Sequence, residues 1–227
     1  MESIKTAADQ PDTKLKELRI RIISDVICPW CYIGKRRLEA ALRSLPRDVA
    51  PKITWSAFEL NPDMPARGME RKAYRSAKFG SWERSEAMDA EIANVGESEG
   101  LAFHFARIKR TPNTFAVHRL IWFAKRFGKQ NDIVEELFRR YFVAGEDVGD
   151  PEVLIAAANE CKMPSGLARE FLSGDEGSAE VAQESARARR DGISGVPTFI
   201  LNEVLAVSGA QRPEAFAAAF RRAGTEL

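Results

Sequence analysis

Leu18-Arg19-Ile20-Arg21-Ile22-Ile23-Ser24-Asp25-Val26-Ile27-Cys28-Pro29-Trp30-Cys31 leads straight into Tyr32-Ile33-Gly34-Lys35-Arg36-Arg37-Leu38-Glu39-Ala40-Ala41-Leu42. The run from Leu18 to Ile23 reads as a strand, and the apolar residues after Tyr32 recur at helical spacing. The two cysteines therefore stand where a strand hands over to a helix. Pro29 falls in the first helical turn, where its missing N–H is no loss. Three residues apart on that turn, the sulfurs lie on one side and can close a disulfide without backbone movement. Unpaired N–H groups at a helix start also favour a thiolate over a thiol. Lys35 and Arg36 are expected to be solvated, and at roughly a Debye length they add little. This is the layout of a dithiol redox centre.

Two other readings of the pair compete with this one. A structural zinc site needs four ligands, and beyond this pair the chain offers Cys161, His104 and His118, none at a spacing that completes such a site. Two inert core cysteines are the second alternative. The strand-to-helix context favours redox chemistry over both, so no metal is expected.

The chain has 227 residues, 44% hydrophobic and 30% charged, enough for one large domain or a domain carrying a sizeable insertion. A formal net charge of +1 argues against a nucleic-acid partner. No apolar run approaches the roughly 20 residues of a membrane span, so no membrane is expected either. The opening residues lack the apolar core of a signal peptide. The expected location is cytoplasmic, where a CxxC is more often catalytic than structural.

Outward from the motif, Leu45-Pro46-Arg47-Asp48 ends the helix, and Ile53 to Phe58 reads as a second strand. A strand–helix–strand unit implies a parallel pair with a crossover helix. From about Arg67 to Asp191 almost nothing resembles a strand. Helices are expected at Ser81 to Ser98, closed by Gly100; behind Asn113 or Thr114 as N-cap; and from about Asp132 to Val143. Others follow behind Asp150-Pro151, around Leu167 to Leu172, and at Ser178 to Arg190. The second helix of this set carries Ala116, Leu120, Phe123 and Phe127 on one face and stops at Gly128. Past Gly192, Gly195 to Leu201 forms a strand, Asn202-Glu203 a turn, Val204 to Val207 an antiparallel return, and Pro213 onward a last helix. The expected fold class is α/β, with one sheet assembled from both ends of the chain. Its parts are a flexible polar segment (1–18), a discontinuous sheet domain (19–62 and 191–227) and an all-helical insertion (63–190).

A βαβ unit and a ββα unit, with CxxC at the first helix and Val196-Pro197 before the third strand, resemble the thioredoxin fold. The helical insertion resembles its DsbA-like branch. Asp25-Val26-Ile27-Cys28-Pro29-Trp30-Cys31-Tyr32-Ile33-Gly34 and Ser194-Gly195-Val196-Pro197-Thr198-Phe199 look like the cytosolic FrnE-like proteins, as do Pro112-Asn113-Thr114, His118-Arg119-Leu120 and Ser208-Gly209-Ala210-Gln211. The resemblance spans about residues 19 to 222. It implies a thiol–disulfide oxidoreductase or isomerase acting on protein or small-molecule thiols and disulfides. No cofactor is implied beyond the Cys28–Cys31 pair, and the resemblance leaves room for glutathione as a co-substrate. Kappa-class glutathione transferases and hydroxychromene-carboxylate isomerases share the fold but carry Ser in place of Cys28. A glutathione-dependent transferase or isomerase is the runner-up, and a non-catalytic chaperone-like or partner-binding module the third reading. Some FrnE-like proteins carry a second cysteine motif near the C-terminus; here Cys161 stands alone.

The resemblance makes Cys28 the attacking thiol and Cys31 the resolving one, and position at the helix start gives the same order. It also implies that Pro197 follows a cis bond against the cysteine pair, the alternative being a trans proline opening a strand. The Val196 backbone would then be free to pair with an extended substrate. Asp25 either helps move the Cys31 proton or bonds its own turn, the second being favoured. Trp30 is expected to be exposed beside the cysteines as a substrate contact, and Asn113 to shape the site. His118 is expected to be a polar or satisfied helical histidine, with facing the redox centre the alternative. Cys161 reads as a buried apolar side chain, and Arg187-Ala188-Arg189-Arg190 as a solvated helix end.

Overall fold

The computed structural model describes residues 15–164 and 166–223. The first 14 residues of the expected polar lead-in lie outside it. In chain order the elements are β1 (Lys16–Ser24), α1 (Pro29–Leu42), β2 (Val49–Ala57), β3 (Met69–Glu70), α2 (Arg71–Phe79) and α3 (Trp82–Ser98). Next come β4 (Arg110–Thr111), α4 (Phe115–Ala124), α5 (Gln130–Phe138), α6 (Pro151–Glu160), α7 (Leu167–Ser173) and α8 (Ser178–Arg190). β5 (Thr198–Leu201), β6 (Leu205–Ser208) and α9 (Pro213–Arg222) complete the chain.

Four strands form one sheet in the order β2-β1-β5-β6, with β1 parallel to β2 and antiparallel to β5. This is the thioredoxin arrangement, and the α/β class follows. Alternation along β1 decides which residue serves which face. Leu18, Ile20 and Ile22 enter the main core, whereas Ile23 packs on the other face with Phe58 and Ala188. Register sets Ile22 between Trp55 of β2 and Phe199 of β5. β2 carries Pro51, tolerated because the strand lies at the sheet edge.

The helices between β2 and β5 share the main core with the sheet: Leu120, Leu137, Phe138 and Phe171 join Ile20, Phe199 and Phe216 in one contiguous cluster. Several details differ from the sequence reading. β1 starts at Lys16, so residues 16–18 belong to the sheet and not to a tail. The stretch expected to be free of strands holds the two-residue antiparallel pair β3–β4. α2 had no sequence expectation at all. α4 is buried nearly all round, including Val117, Ile121 and Ala124, so its apolar face is wider than one stripe. The helix beginning at Gln130 passes into a π-helical turn over Arg139–Ala144 before Gly145.

Candidate active site

Cys28 is the N-cap of α1 and Pro29 its first residue. The preceding loop is closed by local backbone bonds: the Cys28 N–H donates to the Asp25 carbonyl at 3.1 Å, and the Cys31 N–H to the Cys28 carbonyl at 3.0 Å. All three cysteines are free thiols. Both members of the pair are buried, and Cys28, at the helix start, is the more exposed of the two, at 5% against 1% for Cys31. The two still differ in what they face. Cys28 lines a cleft of about 200 Å³ together with Pro29, Trp30, Leu60 and Phe142, and Cys31 does not. Burial, and then the neighbouring Cys28 thiol, push the Cys31 thiol well above its ordinary value, against the opposing pull of Ser24.

The loop before β5 meets the cysteines from the other side. Val196–Pro197 is cis, and the Cys28 thiol lies 3.5 Å from the Val196 carbonyl oxygen. Gly34 makes this approach possible. A Cβ there would sit 3.0 Å from Pro197 Cγ and 3.1 Å from Phe199 Cζ, so even an alanine needs these side chains to give by a few tenths of an ångström, and a larger side chain would push α1 off β5. A glycine inside a helix costs about 1 kcal/mol against alanine, and close packing is what it allows here. Trp30 is 40% exposed at the rim of the cleft.

Asp25 is completely buried. One carboxylate oxygen accepts from the Leu60 N–H at 2.8 Å and the Thr114 hydroxyl at 3.3 Å; the other lies 3.5 Å from the Ile27 N–H. Asp25 thus ties the cysteine loop to the exit of β2 and the start of α4, a longer reach than turn bonding. His118 is also buried, with Nε2 3.6 Å from the Asp25 carboxylate, beyond hydrogen-bond distance. His118 Nε2 has no hydrogen-bond partner among the described residues, so its polar contact in this buried group is the Asp25 carboxylate. Glu59 belongs to the same buried group: burial raises its carboxyl, His118 opposes this, and Asp25 adds to it. Asn113 acts one step removed. Its Oδ1 accepts from the Phe115 N–H at 2.9 Å, capping α4 from just outside, while its Nδ2 donates to the Met64 carbonyl at 2.7 Å.

Lys35 and Arg36 are not solvated. Lys35 is buried and bonds Glu39 and Glu135, and Arg36 forks onto Glu135. Burial alone would raise the Glu135 carboxyl, but bonds from Arg36, Lys35 and Tyr32 overcome it and hold the group at about 2. With two carboxylates facing them, these cations are occupied away from Cys28. Cys161 is half-buried instead of buried; burial, then Glu136 and Asp132, push its thiol up to about 11. Arg189 is not a solvated helix end either: it bonds Ser185 and the Glu59 carbonyl and stacks 4.5 Å over the Phe58 ring.

Sequence reasoning missed Gly34 as a packing residue, Glu59, Glu135 and the whole of α2. The spacing of Arg71, Tyr74, Arg75 and Lys78 was the available signal for α2, a polar stripe at i, i+3, i+4 and i+7. Among the described residues, no group of three or more His, Cys, Asp or Glu is arranged to hold a metal.

A sheet built from both chain ends, a CxxC at the α1 N-terminus and a cis proline against it define a thioredoxin-fold dithiol centre. Residues 19–221 match the DSBA-like thioredoxin domain, and the chain belongs to that family. It is similar to a probable DsbA oxidoreductase of Streptomyces coelicolor, SCO1869, with 32% identity, a TM-score of 0.84, and coverage of 92% of this chain and 91% of that one. Among curated proteins it is similar to the uncharacterized protein YwbO of Bacillus subtilis, 25% identical over 200 residues, 88% of this chain and 94% of the relative. Its fold also matches the cytosolic disulfide reductase DsbM of Pseudomonas aeruginosa with GSH, at 19% identity, a TM-score of 0.62, and coverage of 90% and 98%.

Proposed function

We propose that this protein is a thiol–disulfide oxidoreductase or isomerase of the FrnE-like type, with Cys28 the attacking thiol and Cys31 the resolving one. The observation that carries the reading is the unequal placement of the two sulfurs. Cys28 stands at the helix start and faces the cleft, while Cys31 is sealed one turn deeper and held as a thiol. The Cys28 thiolate attacks one sulfur of a substrate disulfide, whose S–S bond breaks and releases one thiol. Cys31 then gives up its proton and attacks Cys28 Sγ of the mixed disulfide, releasing the second thiol and closing Cys28–Cys31. Two electrons and two protons pass from the cysteine pair to the substrate; a dithiol substrate oxidised by the closed pair runs the sequence backwards. Asp25 acts as a positioning residue for the cysteine loop. His118, Glu59 and Asn113 support it, Val196 and Pro197 close the far side, and Pro29 and Trp30 form the rim.

Protein or small-molecule thiols and disulfides are the proposed partners, and no cofactor is needed beyond the cysteine pair. Glutathione is a candidate co-substrate, an assignment supported by the similarity to a disulfide reductase described with GSH. The proposed location is cytoplasmic; no described helix is long and apolar enough to cross a membrane.

The test is to assay insulin disulfide reduction beside glutathione conjugation to an electrophile, in the native protein, Cys28→Ser and Cys31→Ser. Exchange should vanish in Cys28→Ser, and Cys31→Ser should accumulate a mixed disulfide through Cys28. Conjugation that survives in Cys28→Ser, with no exchange by the native protein, would instead make this a glutathione-dependent transferase or isomerase. Neither activity in any form would leave the non-catalytic binding module.

A further inference from the structure

One wall of the cleft beside Cys28 is a face of α2, presenting Arg71, Tyr74, Arg75 and Lys78. Most of the remaining lining is apolar or aromatic, with Phe79, Met88, Ile92 and Phe105 among it. Among the described residues, three cations line this cleft and no acidic side chain does. Asp89, which does not line the cleft, serves two guanidiniums at once, accepting from Arg71 at 2.8 Å and from Arg75 at 2.8 Å. Among the described residues, Lys78 donates only to neutral oxygens, Tyr74 Oη at 2.7 Å and Asn61 Oδ1 at 3.1 Å. A positive excess therefore stays in the cleft. Burial, and then the adjacent Arg71 charge, hold the Arg75 guanidinium below its ordinary value despite Asp89.

The second observation is an unused donor. Arg71 is 3% exposed, and its Nη1 is buried with no hydrogen-bond partner. A buried guanidinium nitrogen left unpaired is costly; Nη1 is closed to solvent, and a carboxylate in the cleft that Arg71 lines would pair with it through a small rotation of the guanidinium. Its own carboxylate, Asp89, takes Nη2 instead.

We propose that this cleft is the substrate subsite for a small aromatic or apolar thiol or disulfide bearing a carboxylate, its sulfur reaching Cys28 and its anionic group held by Arg71 with Lys78 at the rim. The size fits a small molecule better than an extended peptide. An apolar cavity of about 150 Å³ holds benzene, so about 200 Å³ accommodates one ring and an acidic substituent. The proposal rests on Cys28 as the attacking thiol. In the reaction the Cys28 thiolate displaces one aryl thiolate from the bound disulfide, and Cys31 then displaces the other, closing the cysteine pair.

The test compares two aromatic disulfides, 5,5′-dithiobis(2-nitrobenzoate), which carries a carboxylate on each ring, and uncharged 4,4′-dithiodipyridine. Both are followed by stopped-flow in a Cys161→Ser background. The ratio of their rate constants cancels any general loss of Cys28 reactivity. Arg71→Gln should lower that ratio by about tenfold or more, since a hydrogen bond to a charged group is lost, and Lys78→Gln by about threefold. Ratios unchanged within about twofold in both variants overturn the proposal. If Arg71→Gln does not fold, Lys78→Gln and Lys78→Glu carry the test, the second with the larger drop. Should neither probe react, the exchange reading fails while the subsite stays testable. Calorimetric binding of 2-nitro-5-thiobenzoate to Cys28→Ser, weakened in Cys28→Ser with Lys78→Glu, then supports it, and no binding overturns it.

Discussion

Asp25 and Arg71 are both buried charges near the cysteine loop, and they are treated in opposite ways. Asp25 has both oxygens engaged, reaching Ile27, Leu60 and Thr114 from three separate segments. Arg71 has one terminal nitrogen on Asp89 and the other unpaired. A buried carboxylate bonded to separate segments holds structure together, whereas an unpaired nitrogen on a side chain that lines a cleft is what the proposed ligand would complete. The sheet side of the cleft is thus the rigid support of the sulfur, and the α2 side its receptor.

That contrast can be broken at several points. The largest effect belongs to Asp25→Leu, which leaves the Leu60 N–H and Thr114 hydroxyl without acceptors. At about 1–3 kcal/mol for each stranded group, thermal denaturation should show Tm lower by roughly 10 °C. Asp25→Asn, which retains an acceptor, should recover part of the loss. A Leu variant as stable as the native protein would end the claim that Asp25 is structural support.

Gly34 comes next. Gly34→Leu must push α1 from Pro197 and Phe199, and overpacking of this kind costs about 1–3 kcal/mol. Denaturant unfolding should register that loss, with slower alkylation or exchange at Cys28 as its contact with Val196 shifts. In Gly34→Ala the clash is opposed by the gain in helix propensity, so the change should stay within about 1 kcal/mol. Equal effects from the two substitutions would refute the packing argument.

Glu135 gives a smaller, pH-dependent effect at the far end of α1. Its carboxyl is near 4.5 when free and about 2 in the folded chain, a depressed value. Its stabilisation is therefore present above about pH 4.5 and lost as the pH falls toward 2. Glu135→Gln should lower stability at neutral pH and flatten the acid limb of the stability curve over that window. An acid limb identical to the native protein's would mean the ion pairs with Lys35 and Arg36 contribute nothing measurable.

The smallest expected effect is at Cys161. With its thiol pushed up to about 11, only about one molecule in a thousand is a thiolate at pH 8. Peptide mapping after brief iodoacetamide treatment should find Cys28 labelled well before it, and equal labelling would contradict the contrast.

The sheet side was legible in sequence because each of its devices is local. Alternation in Leu18 to Ile23, Pro29 after Cys28, and Asn202-Glu203 between two apolar runs each specify their own backbone. The α2 side was not, because its meaning depends on distant partners. Nothing within Arg71-Lys72-Ala73-Tyr74-Arg75 points to Asp89, Phe105 and Tyr141, which the fold brings beside it. Lys35 failed for the same reason: its partner Glu135 is a hundred residues away. Asp25 lay between these cases, its turn visible and its reach to Thr114 not.

The central claim, that Cys28 and Cys31 act as one two-electron couple, is tested most directly by equilibrating the protein against glutathione buffers of graded ratio. Acid-quenched samples are then mapped by mass spectrometry. The account predicts a single transition between dithiol and an intramolecular Cys28–Cys31 disulfide, with a slope of about 30 mV per tenfold change in ratio. Cys161 should stay outside the couple. A pair that remains reduced at every ratio, or that stops at a stable glutathione adduct on Cys28 without closing to Cys31, would contradict it.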